Sequence, residues 1–179
     1  MKNALLTLIL GLFSIPAFSQ LDVTINPLGL LFSNIGVSAE TPLSENFGLE
    51  GTVNYNFNRF DALGDEFKST GYGLRALGKY YFNSDKGLDK FHAGPYARIG
   101  GNKIKYTSGT DDVTSFRFAL GIYAGYKWVS KKNIVFELGL GLGRAFVNNY
   151  SSNDSSFNAA DWPVLNLDAT GKLAIGYRF

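Results

Sequence analysis

Residues 162–179 alternate between apolar and polar side chains with a period of two, up to the last residue of the chain. From position 165 onward the odd positions are apolar or small, and the charged residues occupy even positions: Asp168, Lys172 and Arg178. A β-strand with this period has one apolar face and one polar face. A soluble sheet can contain such a strand. A long strand that ends on Tyr177 and Phe179 instead favours a transmembrane β-barrel, whose apolar side chains face lipid and whose polar side chains face the interior.

Residues 1–19 have the pattern of a secretory signal peptide. Lys2 supplies a positive charge, residues 4–13 form an apolar run, and residues 17–19 form a small-x-small cleavage site. The run is shorter than the roughly 20 residues that a transmembrane helix needs. We therefore expect Sec-type export to the periplasm, removal of residues 1–19, and one domain over residues 20–179.

The composition argues against several other classes of protein. The chain has no cysteine, so it has no disulfide framework. A formal net charge of +2 gives no reason to expect a nucleic-acid partner. The content of 21 Gly, 15 Phe and 10 Tyr suits an all-β chain of many short strands. We expect neither a cofactor nor a metal.

The same alternation occurs in seven segments before the last one. These segments are residues 21–31, 34–40, 47–58, 70–82, 90–104, 113–129 and 134–147. A β-bulge is predicted at Gly100-Gly101, inside the fifth segment. The total of eight is even, and short turns alternate with longer polar loops. The sequence thus predicts an all-β fold: an eight-stranded antiparallel transmembrane β-barrel, an up-and-down meander with both termini in the periplasm.

The spacing of outward aromatic residues gives an independent indication of a membrane. The aromatic sets that stand ten residues apart are Phe47 with Phe57, Tyr72 with Phe82, and Phe116 and Phe118 with Tyr126 and Trp128. A strand that crosses a bilayer is expected to carry two aromatic girdles about 9 to 11 residues apart. The alternative is a soluble lipocalin-like barrel, which gives no reason for this spacing.

The first hairpin carries a motif of a known group of proteins. It contains Asn26-Pro27-Leu28, followed by an inward Glu40. With these residues, residues 20–179 resemble the small eight-stranded outer-membrane barrels of the OmpA/OmpX type, and more specifically the uncharacterised outer-membrane β-barrel families. The resemblance implies a monomer in the outer membrane of a Gram-negative cell, in contact with outer-membrane lipid and lipopolysaccharide.

The last eight residues resemble the signal that the barrel-assembly machinery reads. This signal has a polar residue, a small residue two positions later, and aromatic residues at the third-last and last positions. Its counterparts here are Lys172, Ala174, Tyr177 and Phe179, with alanine where glycine is usual. The resemblance implies that the assembly machinery is a partner during biogenesis.

The interior of an eight-stranded barrel is just wide enough for side chains to fill it. By parity the interior contains five acids and seven bases: Asp22, Glu40, Glu50, Glu137 and Asp168, with Arg75, Lys79, Arg98, Arg117, Lys127, Lys172 and Arg178. Because an unpaired buried charge is very costly, these groups should pair. We predict that Lys127 pairs with Glu137, and that Asp22 pairs with Arg178 where the barrel closes.

Three functions remain open. The first is a non-enzymatic barrel with a salt-bridged interior, structural or surface-interacting through its extracellular loops, and the alternative is a small gated pore or ion channel. The third is a lipid-modifying enzyme, which would need a histidine beside a nucleophile. His92 is the only histidine, points inward near the periplasmic end and has Tyr81 as its expected neighbour, which favours a structural role. No catalytic residue is therefore assigned.

Three basic residues have outward parity near the extracellular rim: Lys103, Lys105 and Arg144. Lipid phosphates are candidate contacts for them. Ordinary snorkelling of long basic side chains to the headgroup region is the alternative.

Overall fold

The structure is a computed structural model that describes residues 20–31, 33–62, 65–106, 112–152, 156–158 and 166–179. The predicted signal peptide, residues 1–19, lies outside the described residues. So do residues 162–165, with which the predicted last strand begins.

The described residues form β-strands and one short helix. In chain order these are β1 (Asp22–Ile25), α1 (Pro27–Leu31), β2 (Asn34–Pro42), β3 (Phe47–Ala62), β4 (Asp65–Tyr81), β5 (Lys90–Tyr106), β6 (Asp112–Val129), β7 (Ile134–Ser151), β8 (Ser156–Asn158) and β9 (Leu167–Arg178). No helix among the described residues is long and apolar enough to cross a bilayer.

Eight of these strands form a closed antiparallel meander. Strands β1 to β7 pair in chain order, β7 pairs with β9, and β9 pairs with β1. The short strand β8 extends the sheet only beside the end of β7. The all-β class and the eight antiparallel strands are therefore confirmed. We call this arrangement the ring.

The ring has two different ends. Residues 43–46, 82–89 and 130–133 are short connections at one end, next to the first and last residues of the ring, and we call it the short-turn end. At the opposite end β3, β5 and β7 end and β4, β6 and β9 begin, and we call it the long-loop end because the sequence predicts its longer polar loops there. The loop predicted between β3 and β4 is shorter than expected, because these strands stay paired as far as Ala62 and Asp65.

The first strand is shorter than the sequence predicted. Residues 21–31 were expected to form one strand, but β1 ends at Ile25 and Pro27–Leu31 is helical. Pro27 occupies the first helical position, where its missing N–H costs nothing. Asn26 precedes it, and its carbonyl accepts a hydrogen bond from Gly29 N at 3.1 Å. The Asn-Pro pair is thus a helix start rather than part of a strand.

The bulge predicted at Gly100-Gly101 is wrong. Both glycines keep a continuous register, pairing with Arg117 and Phe116. A Cβ on Gly100 would lie 2.8 Å from Tyr72 O, so this position needs glycine for close approach of the backbones. The register shifts instead between β6 and β7, where Phe146 has no partner.

The two faces of the ring differ in chemistry. From Ile134 to Leu142, buried and exposed residues of β7 alternate strictly, and the outward face exposes Ile134, Phe136, Leu138, Leu140 and Leu142. Most inward residues are polar or charged. Leu77, Tyr96 and Tyr123 form a small apolar cluster within this interior.

Candidate functional site in the interior of the ring

The interior contains the twelve charged residues that parity placed there. Ten of them are less than 9% exposed: Asp22, Glu40, Glu50, Arg75, Lys79, Lys127, Glu137, Asp168, Lys172 and Arg178. The side chains of Arg98 and Arg117 are 31% and 27% exposed and lie nearer the long-loop end. The charges form a deep network at the short-turn end and a smaller cluster above it.

The part of the network nearest the short-turn end joins the first and last strands of the ring. Asp22 pairs with Arg178 in the β1–β9 register. Arg178 donates from Nε to Asp22 Oδ1 at 2.6 Å and from Nη2 to Asp22 Oδ2 at 2.8 Å. This two-point geometry is the strong form of an arginine–carboxylate contact. The predicted pair of Asp22 and Arg178 is therefore present.

Lys79 lies at the centre of the network. Its ammonium donates to Glu40 Oε2 at 2.7 Å, to Glu50 Oε2 at 2.5 Å and to Glu137 Oε1 at 2.8 Å. Oxygens of these three carboxylates lie within 4.8 Å of one another, a spacing that could hold a metal ion. The Lys79 side chain is 0% exposed and already fills this position, so we assign no metal site to it.

Two further bases hold Glu50 and Glu137. Lys172 donates to Glu50 Oε2 at 2.7 Å and to Glu137 Oε2 at 2.9 Å. Arg75 donates more weakly to Glu50 Oε1, at 3.3 Å. Every carboxylate of the deep network thus has at least two cationic partners or a two-point arginine contact, as buried charges require.

The predicted ion pair between Lys127 and Glu137 is wrong in its partners. The two residues are opposite each other in the β6–β7 register, as expected. The Lys127 ammonium, however, donates across the interior to Asp22 Oδ2 at 2.9 Å and Glu40 Oε2 at 2.7 Å. Because a lysine side chain is long and the interior is narrow, strands on the far side are within its reach.

His92 is part of the packing around the network. Its ring is 0% exposed and lies 4.9 Å, between centroids, from that of Tyr81, its register partner. Nε2 is 3.2 Å from Glu137 Oε1 but is not aligned for a hydrogen bond. Nδ1 lies 3.2 Å from Lys90 O.

Connection 82–89 covers the short-turn end. Leu88, in this connection, is 1% exposed. Arg178 Nη2 donates to Leu88 O at 2.8 Å, and Nη1 donates to Lys86 O. The connection is therefore held against the ion pair of Asp22 and Arg178.

A second cluster surrounds Asp168, nearer the long-loop end. Asp168 accepts hydrogen bonds from Tyr96 Oη at 2.7 Å and from Arg98 Nη2. Arg117 Nη2 lies 3.4 Å from Asp168 Oδ1 and donates to Leu167 O at 2.5 Å. One carboxylate is thus shared by two guanidinium groups, so this cluster carries a net positive charge.

Above these clusters the interior opens into a cavity of about 560 Å³. We call it the upper cavity. The basic residues that line it are Arg75, Arg98, Arg117 and Lys172, and the asparagines are Asn26, Asn34, Asn54, Asn56 and Asn102. No acidic residue belongs to this lining among the residues that the structure describes.

Sequence reasoning did not predict the hydrogen bonds that uncharged side chains donate to the network, although it expected Tyr81 in the interior as the neighbour of His92. Tyr81 donates to Glu40 Oε1 at 2.6 Å, Tyr123 donates to Glu137 Oε1 at 3.2 Å, and Thr52 donates to Glu50 Oε1 at 3.1 Å. Strand parity would have placed all three inward. Burial of a charged group is more costly than burial of a hydroxyl group, so charge is the stronger signal in the sequence.

The candidate lipid-phosphate contacts lie on the outer surface. Arg144 is exposed on β7. Lys103 Nζ donates to Asp112 Oδ2 at 2.7 Å, and Lys105 Nζ is 3.9 Å from the same oxygen. Asp112 lies beyond the outward aromatic residues of β6, and the hydrogen bond from Lys103 lowers its pKa. The two lysines therefore already share a carboxylate.

Outward aromatic residues gather at both ends of the ring. Near the short-turn end, ring centroids are 5.2 Å apart for Tyr80 and Phe82, and 4.5 Å apart for Tyr126 and Trp128. Residues at the other end include Tyr55, Phe57, Tyr72, Phe116 and Phe146, all more than 40% exposed. Between the two sets the outward face is mostly aliphatic.

The four residues of the predicted assembly signal lie in β9 or directly after it, and they divide between the inward and outward sides of the ring. Lys172 and Ala174 point inward and are 4% and 2% exposed. Tyr177 and Phe179 are 45% and 67% exposed, and their ring centroids are 5.0 Å apart.

These features define a class: a closed eight-stranded antiparallel ring with a charged interior and an apolar exterior. Residues 4–161 match the model of the family described as "Protein of unknown function (DUF3575)", and the chain belongs to that family. No curated protein matches the chain.

Proposed function

We propose that the protein is a non-enzymatic integral outer-membrane β-barrel of the OmpA/OmpX-like type. Its interior is closed by salt bridges near the periplasmic end, and it is structural or interacts with the cell's surroundings through its long-loop end. In this arrangement the short-turn end faces the periplasm.

The observation that carries this proposal is the reversed distribution of polarity. Outward side chains such as Leu140 and Ile122 are 73% and 71% exposed, whereas Lys79 and Lys127 in the interior are 0% and 1% exposed. A ring in water would have to hydrate an apolar exterior that runs around eight strands, and exposed apolar surfaces of that size mark contact with another apolar phase. Lipid is the solvent for which this distribution is favourable.

The aromatic spacing supports the same proposal. Phe47 and Phe57 are ten residues apart on β3, which is about 33 Å along a strand. At the tilt of about 35–45° typical of outer-membrane barrels, this corresponds to a height of about 25 Å, which is the height of the apolar band in that class.

A closed interior favours a structural or binding role over conduction. The deep network is nearly inaccessible to solvent, and connection 82–89 covers it from below. A small gated pore would require this network to separate, which would leave buried charges unpaired.

The first test is localisation. Fractionation of cells that express the full chain should place the protein with outer-membrane markers, and unheated protein in detergent should migrate faster on gels than boiled protein. Recovery of a monomer in the soluble fraction without detergent would refute the membrane assignment. Single-channel recording of purified protein should show no steps above those of protein-free bilayers, and reproducible steps would favour the pore.

A further inference from the structure

We propose that the upper cavity binds a small oxyanion, a carboxylate or a phosphate, carried on a polyhydroxylated molecule of about the size of a monosaccharide. This inference goes beyond the proposed function, because it depends on the folded ring and not on the membrane around it.

The charge of the cavity points to an anion. Four basic side chains contribute to its lining, and among the described residues no acid does. The carboxylates that pair with these bases, Glu50, Glu137 and Asp168, are each 1% exposed and are not part of the lining. Within the described part of the chain, Arg98 and Arg117 share Asp168 as their only carboxylate, so together they present one uncompensated positive charge to the cavity.

Unused hydrogen-bond donors are the second observation. Arg75 is 7% exposed and lines the cavity, yet its Nε has no partner among the described residues. Arg117 Nε is in the same situation. A buried donor without a partner is costly, so native structures usually provide one. An oxyanion in the cavity could accept from these groups, and guanidinium groups match its geometry.

The remaining lining suits hydroxyl groups. Five asparagines line the cavity, and amides supply both donors and acceptors, although Asn34 already donates to Asn56. Asn26 Oδ1 is buried without a partner among the described residues, so it is an acceptor ready for a hydroxyl. The volume of about 560 Å³ lies within the usual range for small-molecule sites, about 300–1,000 Å³.

Binding can be measured on the folded full chain in detergent micelles by NMR. The probes are glucose 6-phosphate, glucuronate, uncharged glucose and inorganic phosphate, added to ¹⁵N-labelled protein. We expect the two sugar anions to shift the Nε–Hε signals of Arg75 and Arg117 saturably, and glucose to leave them unchanged. Absence of saturable shifts with both sugar anions would overturn the proposal. Equally tight binding of inorganic phosphate would overturn the part that concerns the sugar.

Variants then locate the site. Arg98→Gln should weaken sugar-anion binding about tenfold or more, because it removes a charged hydrogen bond. Arg117→Gln should act in the same way from a different strand. Asp168→Asn should instead tighten binding severalfold, because it removes the carboxylate that competes for both arginines.

Arg144→Gln is the matched control, since it removes the same charge from the outer surface. It should leave the affinity unchanged. Equal weakening by Arg98→Gln and Arg144→Gln would mean that the anions respond to overall charge, and the site would be withdrawn. Heat-modifiable gel mobility verifies that each variant is folded. Because these measurements do not depend on localisation, failure to bind and failure to reach the outer membrane are distinguishable.

Discussion

Replacement of Lys127 by methionine tests the interior network directly. The ammonium of Lys127 contacts Asp22 at 2.9 Å and Glu40 at 2.7 Å, and the side chain is 0% exposed. Removal of one member of a buried ion pair costs about 3–5 kcal/mol. Here Asp22 retains Arg178 and Glu40 retains Lys79. We therefore expect Lys127→Met to lower the free energy of unfolding by about 3 kcal/mol, the lower end of that range.

Two double-mutant cycles distinguish the residue that lies opposite Lys127 in the sheet from the residue that its side chain contacts. Lys127 is opposite Glu137 in the sheet, but its hydrogen bond goes to Glu40. The coupling energy with Glu40→Gln should be about 2–3 kcal/mol. The coupling with Glu137→Gln should be smaller by about 1 kcal/mol or more, since that cycle lacks a direct charged hydrogen bond.

The assay is urea unfolding in detergent micelles or lipid vesicles, followed by fluorescence and gel mobility, with the slope against urea compared between variants. Lys132→Met is the control, because Lys132 is exposed in the connection between β6 and β7. It should change stability by less than about 0.5 kcal/mol. A larger coupling of Lys127 to Glu137 than to Glu40 would refute the cross-interior arrangement described above.

Three further predictions concern other parts of the ring. Gly94→Ala would place a Cβ 1.8 Å from Gly78 O, so it should cost about 1–3 kcal/mol in urea unfolding, whereas Gly51→Ala, with no atom within 4 Å, should be close to neutral. Deletion of Phe179 should reduce the folded fraction recovered from the outer membrane, as measured by fractionation; unchanged insertion would show that this aromatic residue is not an assembly signal. His92→Ala should leave the lipid composition of the membrane unchanged in mass spectrometry, and a changed acyl pattern would revive the enzyme hypothesis.

Alternation of side chains predicts the side of the sheet on which a residue lies, because this depends only on the local strand. It therefore placed Lys79 and Glu137 inward without knowledge of the fold. The pairing of Asp22 with Arg178 could also be predicted from the sequence, since both residues lie at the ends of the strands that must meet for the ring to close.

Contacts across the interior could not be predicted in this way. Which carboxylate Lys127 reaches depends on the stagger of strands on opposite sides of the ring, and no local pattern contains that information. The helix α1 is a different case. The alternation in residues 21–31 favours a strand, but an Asn-Pro pair is also typical of a helix start, and here this local preference of Asn26 and Pro27 outweighs the alternation.

The join between β1 and β9 has a mechanical consequence. Only four residue pairs connect these strands, whereas sixteen connect β3 and β4. Much of the cohesion at this join comes from the two-point contact of Arg178 with Asp22 and from the hydrogen bonds that Leu21 and Phe179 exchange at 3.1 and 2.9 Å. Local opening proceeds where the fewest interactions must break. β1 is connected to β2 by four residue pairs as well. It is therefore the strand of the ring that the fewest pairs hold on either side, and amide hydrogen exchange should be fastest along β1.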